Sequence, residues 1–256
     1  VLGGRLEGKF LPDQVIPFSV SREDAEKGFK DYVCKKKFVP RAFYNKKQVE
    51  SITGVYFPYW HYNTRLEGKM HGEARNVRVW RTGNTEYTET KYYQVSREGD
   101  VKLENLTENA LGKANQELIC GVMPYDFKDV KKFQLGFLSG FLAEKRDIEK
   151  KQIEKKVQQE ARESAEKLMR EQINGYSSVS VKNADFRALK EKWSYTLLPV
   201  WTITYKAKNG KIYYFSMNGQ TGKVYGELPT DYKKISLVSG IVSLVTLVIL
   251  LLGGLA

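Results

Sequence analysis

The last 22 residues, Ile235 to Ala256, carry no charged side chain, and 14 of them are Ile, Leu or Val. At about 1.5 Å per residue, a helix of this length would extend roughly 33 Å, close to the thickness of a bilayer. A long core helix of a soluble domain normally shows a polar face, whereas the polar residues here are three serines and one threonine. The segment therefore predicts a transmembrane helix.

Lys233 and Lys234 stand directly before this apolar segment. Positive charge beside a transmembrane helix prefers the cytoplasmic side, so we expect the preceding residues to face the cytoplasm at the cell membrane. The start at Val1 suggests a longer protein, and the apolar end leaves open a second span or a short tail after Ala256. The expected anchor, in contact with membrane lipid, consists of Lys233, Lys234, Ile235, Leu237, Val238, Ile241, Val242, Leu244, Val245, Leu247, Val248, Ile249, Leu250, Leu251 and Leu252.

The rest of the chain is basic and rich enough in apolar residues to fold. It has 42 Lys+Arg against 30 Asp+Glu, a formal charge of +12, and 41% of its residues are hydrophobic. This composition excludes a disordered chain and a collagen-like repeat. Lysine pairs spread along the sequence favour attraction to an anionic membrane surface. Nucleic-acid binding would use the same charge with aromatic stacking, but most aromatic residues fall at strand positions where they would fill a core.

Few residues suit metal binding or catalysis. Cys34 and Cys120 are far apart, which gives neither a zinc knuckle nor a disulfide framework, and we expect two free thiols. We expect His61 on a strand surface and His71 in a hairpin turn with Met70 and Gly72. With so thin a repertoire of bases, we expect no enzyme.

One short run resembles a phosphate-binding loop. Thr221-Gly222-Lys223 has the Gly-Lys pair, but Met217 stands where the leading glycine of that motif belongs and Val224 follows the lysine. We therefore predict a hairpin turn here, and no cofactor.

The first half of the chain predicts one helix followed by strands. Ser21 with Asp24 is a carboxylate variant of the capping box that begins a helix. Residues 51–68 and 77–95 are rich in aromatic and β-branched residues, with a turn at Gly83-Asn84, and so predict an antiparallel meander. Residues 107–120 then show helical spacing.

A long charged helix is predicted from about Glu144 to Ile173, because the segment lacks Pro and Gly and is rich in Glu, Lys, Gln and Ala. Its thin apolar stripe fits a coiled coil with a partner, or a helix that packs on a sheet. The second interpretation is favoured because the stripe does not hold a strict heptad. The residues expected to contact a partner are Ile148, Ile153, Val157 and Leu168.

The remaining soluble part predicts further strands, with turns at Asn209-Gly210 and Asn218-Gly219. Pro58-Tyr59-Trp60 and Pro199-Val200-Trp201 occupy comparable places, which suggests an internal duplication. The expected fold is therefore α+β, with antiparallel sheets, packed helices and a C-terminal transmembrane helix. We expect a first α+β unit at 1–140, the long helix and a β unit at 141–234, and the span at 235–256.

Five runs of this sequence resemble one family of bacterial membrane proteins, mostly from Gram-positive species, that carry TFIIB-type zinc ribbons at the N terminus. The resemblance covers the chain from Leu11 to the predicted span. The runs are LPDQVIPF at 11–18, TGVYFPYW at 53–60, VWRTG at 79–83, LSGFLAEKRD at 138–147 and MNGQTGKV at 217–224.

The resemblance implies that zinc belongs only to a missing N-terminal region, so no zinc ligand is assigned in this chain. Family members are often labelled primosomal replication helicase-like, and some are encoded beside flotillin-like (SPFH) and phage-shock-type envelope-stress proteins. This implies a membrane-bound adaptor that recruits such partners. The hairpin at 205–225 is also similar to the PepSY pattern of strand, turn and strand.

Two functions are therefore expected. The first is a membrane-anchored cytoplasmic scaffold that recruits protein partners through its long helix and exposed strand edges. The alternative is a membrane-tethered nucleic-acid-binding protein linked to replication, in which the lysines contact phosphates.

Overall fold

The computed structural model describes residues 8–40, 43, 49, 51–113, 120–207 and 210–253. The chain forms two compact units that are interleaved in sequence. Unit one consists of Val1–Pro58, Leu111–Lys145 and Leu197–Ala256, and unit two of Tyr59–Ala110 and Arg146–Thr196. The linear boundaries expected after residues 140 and 234 do not appear in this division, because two long strands contribute residues to both units.

The elements belong to the expected α+β class. The helices are α1 (Arg22–Cys34), α2 (Lys150–Glu171) and α3 (Tyr232–Gly253). The strands are β1 (Gln14–Val15), β2 (Thr53–Thr82), β3 (Thr85–Asn109), β4 (Lys131–Lys132), β5 (Leu142–Ala143), β6 (Ser178–Lys206), β7 (Ile212–Asn218) and β8 (Val224–Gly226). Hydrogen bonds order them as β3-β2-β6-β1-β4, with β5 on β2, β7 on β6 and β8 on β7.

Helix α1 begins as its sequence predicts. The Ser21 hydroxyl oxygen accepts a hydrogen bond from the Asp24 backbone N–H at 3.1 Å, which satisfies one of the donors left open at a helix start. Ala25, Phe29 and Val33 then fall on one face and are buried. The helix ends at Cys34, before the lysine run at 35–37.

Unit one closes around that buried face. Phe29 meets the ring of Phe215 edge-on, with ring centroids 4.9 Å apart, so α1 packs against β7. Trp201 and Ile203 on β6 belong to the same apolar cluster. Beneath it, β7 pairs with β6 from Val200↔Asn218 to Lys206↔Ile212 and with β8 beyond. The predicted turn at Asn218-Gly219 is confirmed, whereas Asn209 of the other predicted turn lies outside the described residues.

Unit two is built on one hairpin of two unusually long strands. β2 and β3 pair without interruption from Thr82↔Thr85 down to Thr64↔Leu103, and a bulge follows before Tyr62↔Leu106. The predicted turn at Gly83-Asn84 joins them, with Gly83 at φ +59. The turn expected around His71 is wrong, since Met70 to Gly72 run straight through β2.

The glycines explain that error. Gly72 is extended, and a Cβ there would come 2.5 Å from the Ser180 carbonyl oxygen on β6. It therefore serves close strand approach and not a turn. The helical spacing predicted for residues 107–120 is wrong at its start, because β3 runs to Asn109. Residues 114–119 lie outside the described part of the chain.

One face of the unit-two sheet is buried under α2. Leu66, Met70 and Ala74 on β2 alternate with exposed charged residues, as a half-buried strand should. A Cβ on Gly68 would meet Met169 Sδ at 2.6 Å, so the helix sits directly on β2. The two Pro-x-Trp runs both lie within long strands, but the units differ in their elements, and the duplication stays a prediction.

Candidate membrane anchor and binding surfaces

Helix α3 is apolar and exposed on every side. Among the described residues it is the one helix that is long and apolar enough to cross a membrane, over Tyr232–Leu252, and none of that stretch is buried. Leu237 is 67% exposed and Leu250 66%, which is unlike a core helix of a water-soluble domain. All the apolar residues predicted for the anchor from Leu237 to Leu252 are exposed in this way, and Ile235 is half-buried.

The start of α3 is fastened to the chain that follows α1. Asp231 donates its backbone N–H to the Phe38 carbonyl at 2.7 Å, and its carboxylate accepts from the Lys234 N–H at 3.3 Å. Lys234 Nζ donates to the Val39 carbonyl at 2.8 Å. Of the two lysines predicted to flank the span, Lys234 is thus held by unit one, while Lys233 is exposed.

The apolar stripe of α2 is used inside unit two. Ile153 and Val157 are buried together with Ala161, Ala165 and Met169, which confirms a helix packed on a sheet. Of the residues expected to contact a partner, these two are therefore covered by the chain itself. Leu168 is 43% exposed, because the buried position falls on Met169.

Ile148 lies outside the helix. Helix α2 begins at Lys150, after a capping box in which the Glu149 N–H donates to Gln152 Oε1 at 2.6 Å. The carbonyl of Ile148 accepts the Trp60 Nε1–H at 2.9 Å, so this residue fastens the helix entry to β2. A partner of α2 would have to contact its outer, charged face.

Polar contacts lock α2 onto the sheet. Tyr62 donates its hydroxyl to the Glu191 carboxylate, which also accepts from Gln158 of the helix at 2.9 Å. Burial, together with this hydrogen bond, raises the pKa of Tyr62 to about 12. Lys156 Nζ lies 2.7 Å from the Glu108 carboxylate on β3, and that hydrogen bond raises the pKa of Lys156.

The end of the β2–β3 hairpin projects beyond the third strand. β6 begins at Ser178, whose hydroxyl accepts from Arg75 Nε at 2.8 Å, and the chain before it is bonded to β2 at Asn76 and Val77. Past this point β2 and β3 pair with each other alone among the described strands. We call Val77–Lys91 the arm; at about 3.3 Å per residue its six β2 residues extend roughly 20 Å.

The arm carries exposed aromatic and aliphatic side chains. Trp80 and Tyr87 lie directly opposite each other, with ring centroids 5.6 Å apart and planes at 14°, and are 41% and 46% exposed. The Arg78 guanidinium lies 5.6 Å from the Trp80 ring centroid. Val79, on the other face, is 55% exposed. Trp, Tyr and Arg are the residues that most often dominate protein interfaces.

The sheet face opposite α2 is covered by ion pairs instead. Arg65 lies 2.5 Å from Asp100, Lys69 is 2.6 Å from Glu98, and Arg187 is 2.8 Å from Glu67. Exposed cross-strand pairs of this kind are screened by water and salt and add little to the stability of a sheet. Their mutual neutralisation makes this a solvated charged surface. The arm also has ion pairs, Arg81–Glu86 and Lys91–Glu89, but it adds exposed aromatic and aliphatic side chains to them.

His61 organises the bulge in the hairpin. The bulge places two β3 residues, Glu104 and Asn105, opposite Asn63 on β2. Asn105 has φ +63, a conformation that Asn tolerates better than most residues. The Asn105 N–H donates to Asn63 Oδ1 at 2.8 Å, and its side-chain oxygen lies 3.1 Å from His61 Nε2. His61 is buried and not on a strand surface as expected, and burial lowers its pKa.

The Thr-Gly-Lys run is a turn, as predicted. Buried Asn218 accepts hydrogen bonds from the backbone N–H groups of Gln220 and Thr221 at 2.8 and 3.0 Å. Gly222 has φ +75, and Lys223 donates to the Met123 carbonyl. The N–H groups of Gln220 and Thr221 are therefore used within the turn and are not free to bind a phosphate.

Sequence reasoning missed a buried arginine in unit two. Arg146 is 8% exposed, and its guanidinium lies 5.1 Å from the Trp60 ring centroid and 4.6 Å from that of Tyr195. Its Nη2 also lies 3.4 Å from the Glu149 carboxylate. Burial raises the pKa of Tyr195 to about 12 although Arg146 opposes the shift. One arginine within a charged stretch of sequence does not indicate that its side chain will be buried between aromatic rings.

An aromatic cluster in unit one was also missed. Phe18 stacks on Phe141 with ring centroids 4.1 Å apart, and Trp201 lies 5.0 Å from Phe18. Gly54 allows the packing, because a Cβ there would come 2.6 Å from the Phe141 ring. An open cleft of about 470 Å³ borders this cluster. Three of the five runs behind the family resemblance supply residues here, namely Phe18, Gly54 and Phe141, and the run at 79–83 lies at the tip of the arm.

Within the described ranges, no group of three His, Cys, Asp or Glu side chains could hold a metal ion. Cys34 and Cys120 are free and exposed, as expected. His71 is exposed on β2. The residue opposite it on β3 is Ser96, which is not one of the usual metal ligands.

The chain is similar to a protein of Bacillus subtilis. The chain is 29% identical over 259 residues to the uncharacterized protein YdjG of Bacillus subtilis (strain 168), an alignment that covers 99% of this chain and 76% of YdjG. No family model matches the chain. No solved structure matches it either. The similarity to YdjG extends over both units and α3, so it concerns the whole architecture described above.

Proposed function

We propose that this protein is a membrane-anchored scaffold that recruits a protein partner through the arm of unit two. Helix α3 is the anchor, and unit one, together with unit two, faces the cytoplasm. The observation that carries the proposal is the contrast between the arm, where Trp80, Tyr87 and Val79 are exposed, and the ion-paired face of the same hairpin.

Anchoring is supported by the composition and exposure of α3. Moving its apolar side chains from water into lipid is favourable by about 25 cal/mol for each Å² removed from water. Lys233 and Lys234 precede the helix, and positive charge at this place favours the cytoplasmic side. Alkaline extraction of membranes should therefore leave the full-length chain in the pellet and release a chain that lacks residues 235–256.

Partner binding is supported by how weakly the arm is stabilised by its own contacts. An isolated two-stranded ribbon is marginal in water, and the Trp80–Tyr87 pair contributes only about 0.2–1 kcal/mol. Exposing these rings at the end of a projecting ribbon costs solubility without adding to a core. A partner that covers them would bury two large aromatic side chains and could pair with an open strand edge.

The partners favoured are those that the family resemblance implies, namely flotillin-like or phage-shock-type envelope-stress proteins. The VWRTG run on which that resemblance partly rests lies at the exposed tip of the arm. There Trp80 stacks on Tyr87 of the facing strand, and both rings keep an exposed surface. This supports the arm, in preference to α2, as the place where such a partner binds.

Site-specific photo-crosslinking in native membranes tests the proposal. A photo-reactive residue at Tyr87 of the full-length chain should give one discrete protein adduct, and Trp80→Ala should reduce its yield. The matched control places the same residue at Glu98, which is exposed on the ion-paired face of the same hairpin. Equal adducts from both positions, or none from Tyr87, would refute the arm as a recruitment surface.

Nucleic-acid binding is a second candidate, because Arg78, Trp80 and Tyr87 combine a cation with stacking rings. The arm residues Arg78, Arg81 and Lys91 are, however, nearly balanced by Glu86 and Glu89, which leaves 3 − 2 = +1. An arm so weakly charged could neutralise few phosphates. Anisotropy with a single-stranded oligonucleotide should show no binding at low salt; tight, steeply salt-dependent binding would favour this second function.

A further inference from the structure

A second cavity lies in unit one at the start of α3. It has a volume of about 630 Å³ and lies between the chain after α1 and the chain before α3. One part of its wall is basic and the other is apolar. The lining residues used below are Lys35, Lys36, Lys37, Phe38, Leu228 and Ile235.

The cavity is fixed at the first turn of α3. The Phe38 carbonyl accepts the Asp231 N–H at 2.7 Å, and the Val39 carbonyl accepts Lys234 Nζ at 2.8 Å. On its other side, the Tyr32 hydroxyl donates to the Gly226 carbonyl at 2.9 Å, so α1 is bonded to β8. The three lysines of the cavity are therefore held beside the residue at which the apolar helix starts.

The positive charge of the cavity is not neutralised by neighbouring carboxylates. Glu227 pairs with Lys211 at 3.5 Å, and Asp231 pairs with Lys234 at 3.7 Å. Within the part of the chain that the structure describes, no ion pair reaches Lys35, Lys36 or Lys37, and all three are exposed. An anion at this place would meet three lysines.

We propose that this cavity, the juxtamembrane pocket, binds the headgroup of an anionic phospholipid. The lysines contact the headgroup phosphate, while Phe38, Leu228 and Ile235 contact the glycerol and the first acyl carbons. The inference rests on the proposed anchoring of α3, because only a chain whose span begins at Tyr232 has lipid phosphates at this level. It goes beyond that function by assigning a lipid class to a defined site.

The two-sided wall favours a lipid over a free phosphate. A site for a small hydrophilic anion gains nothing from the apolar side chains, whereas a phospholipid presents an anionic and an apolar part within one molecule. Attraction of each lysine to an anionic membrane surface corresponds to roughly a fivefold change in affinity. Removal of all three lysine charges should therefore weaken lipid binding by about a hundredfold.

The test is native mass spectrometry of the full-length chain in detergent with added lipid. Phosphatidylglycerol should give a stoichiometric adduct, and phosphatidylcholine should bind at least about tenfold more weakly, since it lacks net negative charge. The K35Q/K36Q/K37Q variant should lose the phosphatidylglycerol adduct. Inorganic phosphate in excess should leave that adduct in place.

The matched control is K151Q/K155Q/K167Q, which removes the same charge from exposed positions of α2 in unit two. It should keep the adduct. Equal loss in both variants would show general charge attraction and overturn the site, and so would competition by phosphate or an absent preference for phosphatidylglycerol. Leu228→Gln makes the apolar wall polar without changing the charge, although Leu228 also packs against the core of unit one. In a variant that unfolds in urea at the same concentration as the parent chain, the lipid adduct should weaken as well; an unchanged adduct would refute the proposed acyl contact.

The same preparations separate this inference from the proposed function. If alkaline extraction releases the full-length chain from membranes, the anchor itself is refuted. If the chain stays in the membrane but shows no preference for phosphatidylglycerol, the pocket is refuted and the anchor stands.

Discussion

Gly72 offers a direct test of how unit two is assembled. An added Cβ at this position would lie 2.5 Å from the Ser180 carbonyl oxygen and 3.2 Å from Val181 Cα, both on the backbone of β6. Backbone atoms in a paired strand cannot rotate aside as a side chain can. We therefore expect Gly72→Ala to push β6 away from β2, just below the base of the arm.

The magnitude follows from two opposing effects. Ordinary carbon–oxygen contact requires about 3.3 Å, so the strands must separate by roughly 0.8 Å, and overpacking of this kind costs about 3 kcal/mol. Replacing glycine also restricts the unfolded chain, which stabilises the fold by about 0.4–1 kcal/mol. The net loss expected for Gly72→Ala is about 2 kcal/mol.

Gly99 is the matched control, because it lies on β3 of the same hairpin, opposite Gly68, and a Cβ there meets nothing within 4 Å. Gly99→Ala should therefore be neutral or gain about 0.4–1 kcal/mol. Urea unfolding of the detergent-solubilised chain, followed by tryptophan fluorescence, measures the difference. Hydrogen exchange of the β2 and β6 amides should localise the loss to the strand pair.

The reasoning would be refuted if Gly72→Ala were as stable as Gly99→Ala. Loss of exchange protection confined to β3 would also contradict it, because the clash is with β6. A stable Gly72→Ala protein would mean that β6 is not held at the distance described, and the arm would then lack its fixed base.

Three further predictions concern single residues. Burial lowers the pKa of His61 below 6.5, so its contribution to stability should be complete above pH 6.5 and decline as the pH falls below that value. His61→Gln should flatten this part of the stability profile, and His71→Gln, an exposed change, should retain it. Ser21→Ala should lose about 1 kcal/mol on urea unfolding by removing the α1 cap, while Ser19→Ala should not. Val242→Arg, near the middle of α3, should cost about 3 kcal/mol of membrane insertion and raise the alkali-extracted fraction, whereas Ser236→Arg near its start should cost far less.

Local signals predicted the elements whose formation depends on neighbours in sequence. Ser21 caps α1 through Asp24, three residues away, and Gly83-Asn84 forms the hairpin turn by its own backbone preference. The segment without Pro or Gly became α2, and the uncharged segment became α3. Each of these rests on interactions within a few residues, which a sequence shows directly.

Long-range contacts explain what was missed. Gly72 suggests a turn from sequence alone, and only Ser180, more than a hundred residues away, shows why it is an extended glycine. Leu168 and Met169 are adjacent apolar residues on α2. Met169 is the buried one because it packs against Gly68 on β2, a contact between residues about a hundred positions apart. The arm was unforeseen because its exposure depends on where β6 begins.

The way the backbone threads unit two has a consequence for dissecting this protein. Both of its segments, Tyr59–Ala110 and Arg146–Thr196, start from unit one and return to it, so four peptide connections join the two. A single proteolytic cut at the turn of the arm would leave residues 84–256 covalently joined to α3, whereas the fragment 1–83 would stay attached only through noncovalent contacts such as the β2–β3 pairs. Conversely, no truncation from either terminus yields unit two whole and alone; a gene for it would have to join residue 110 to residue 146 through an artificial linker.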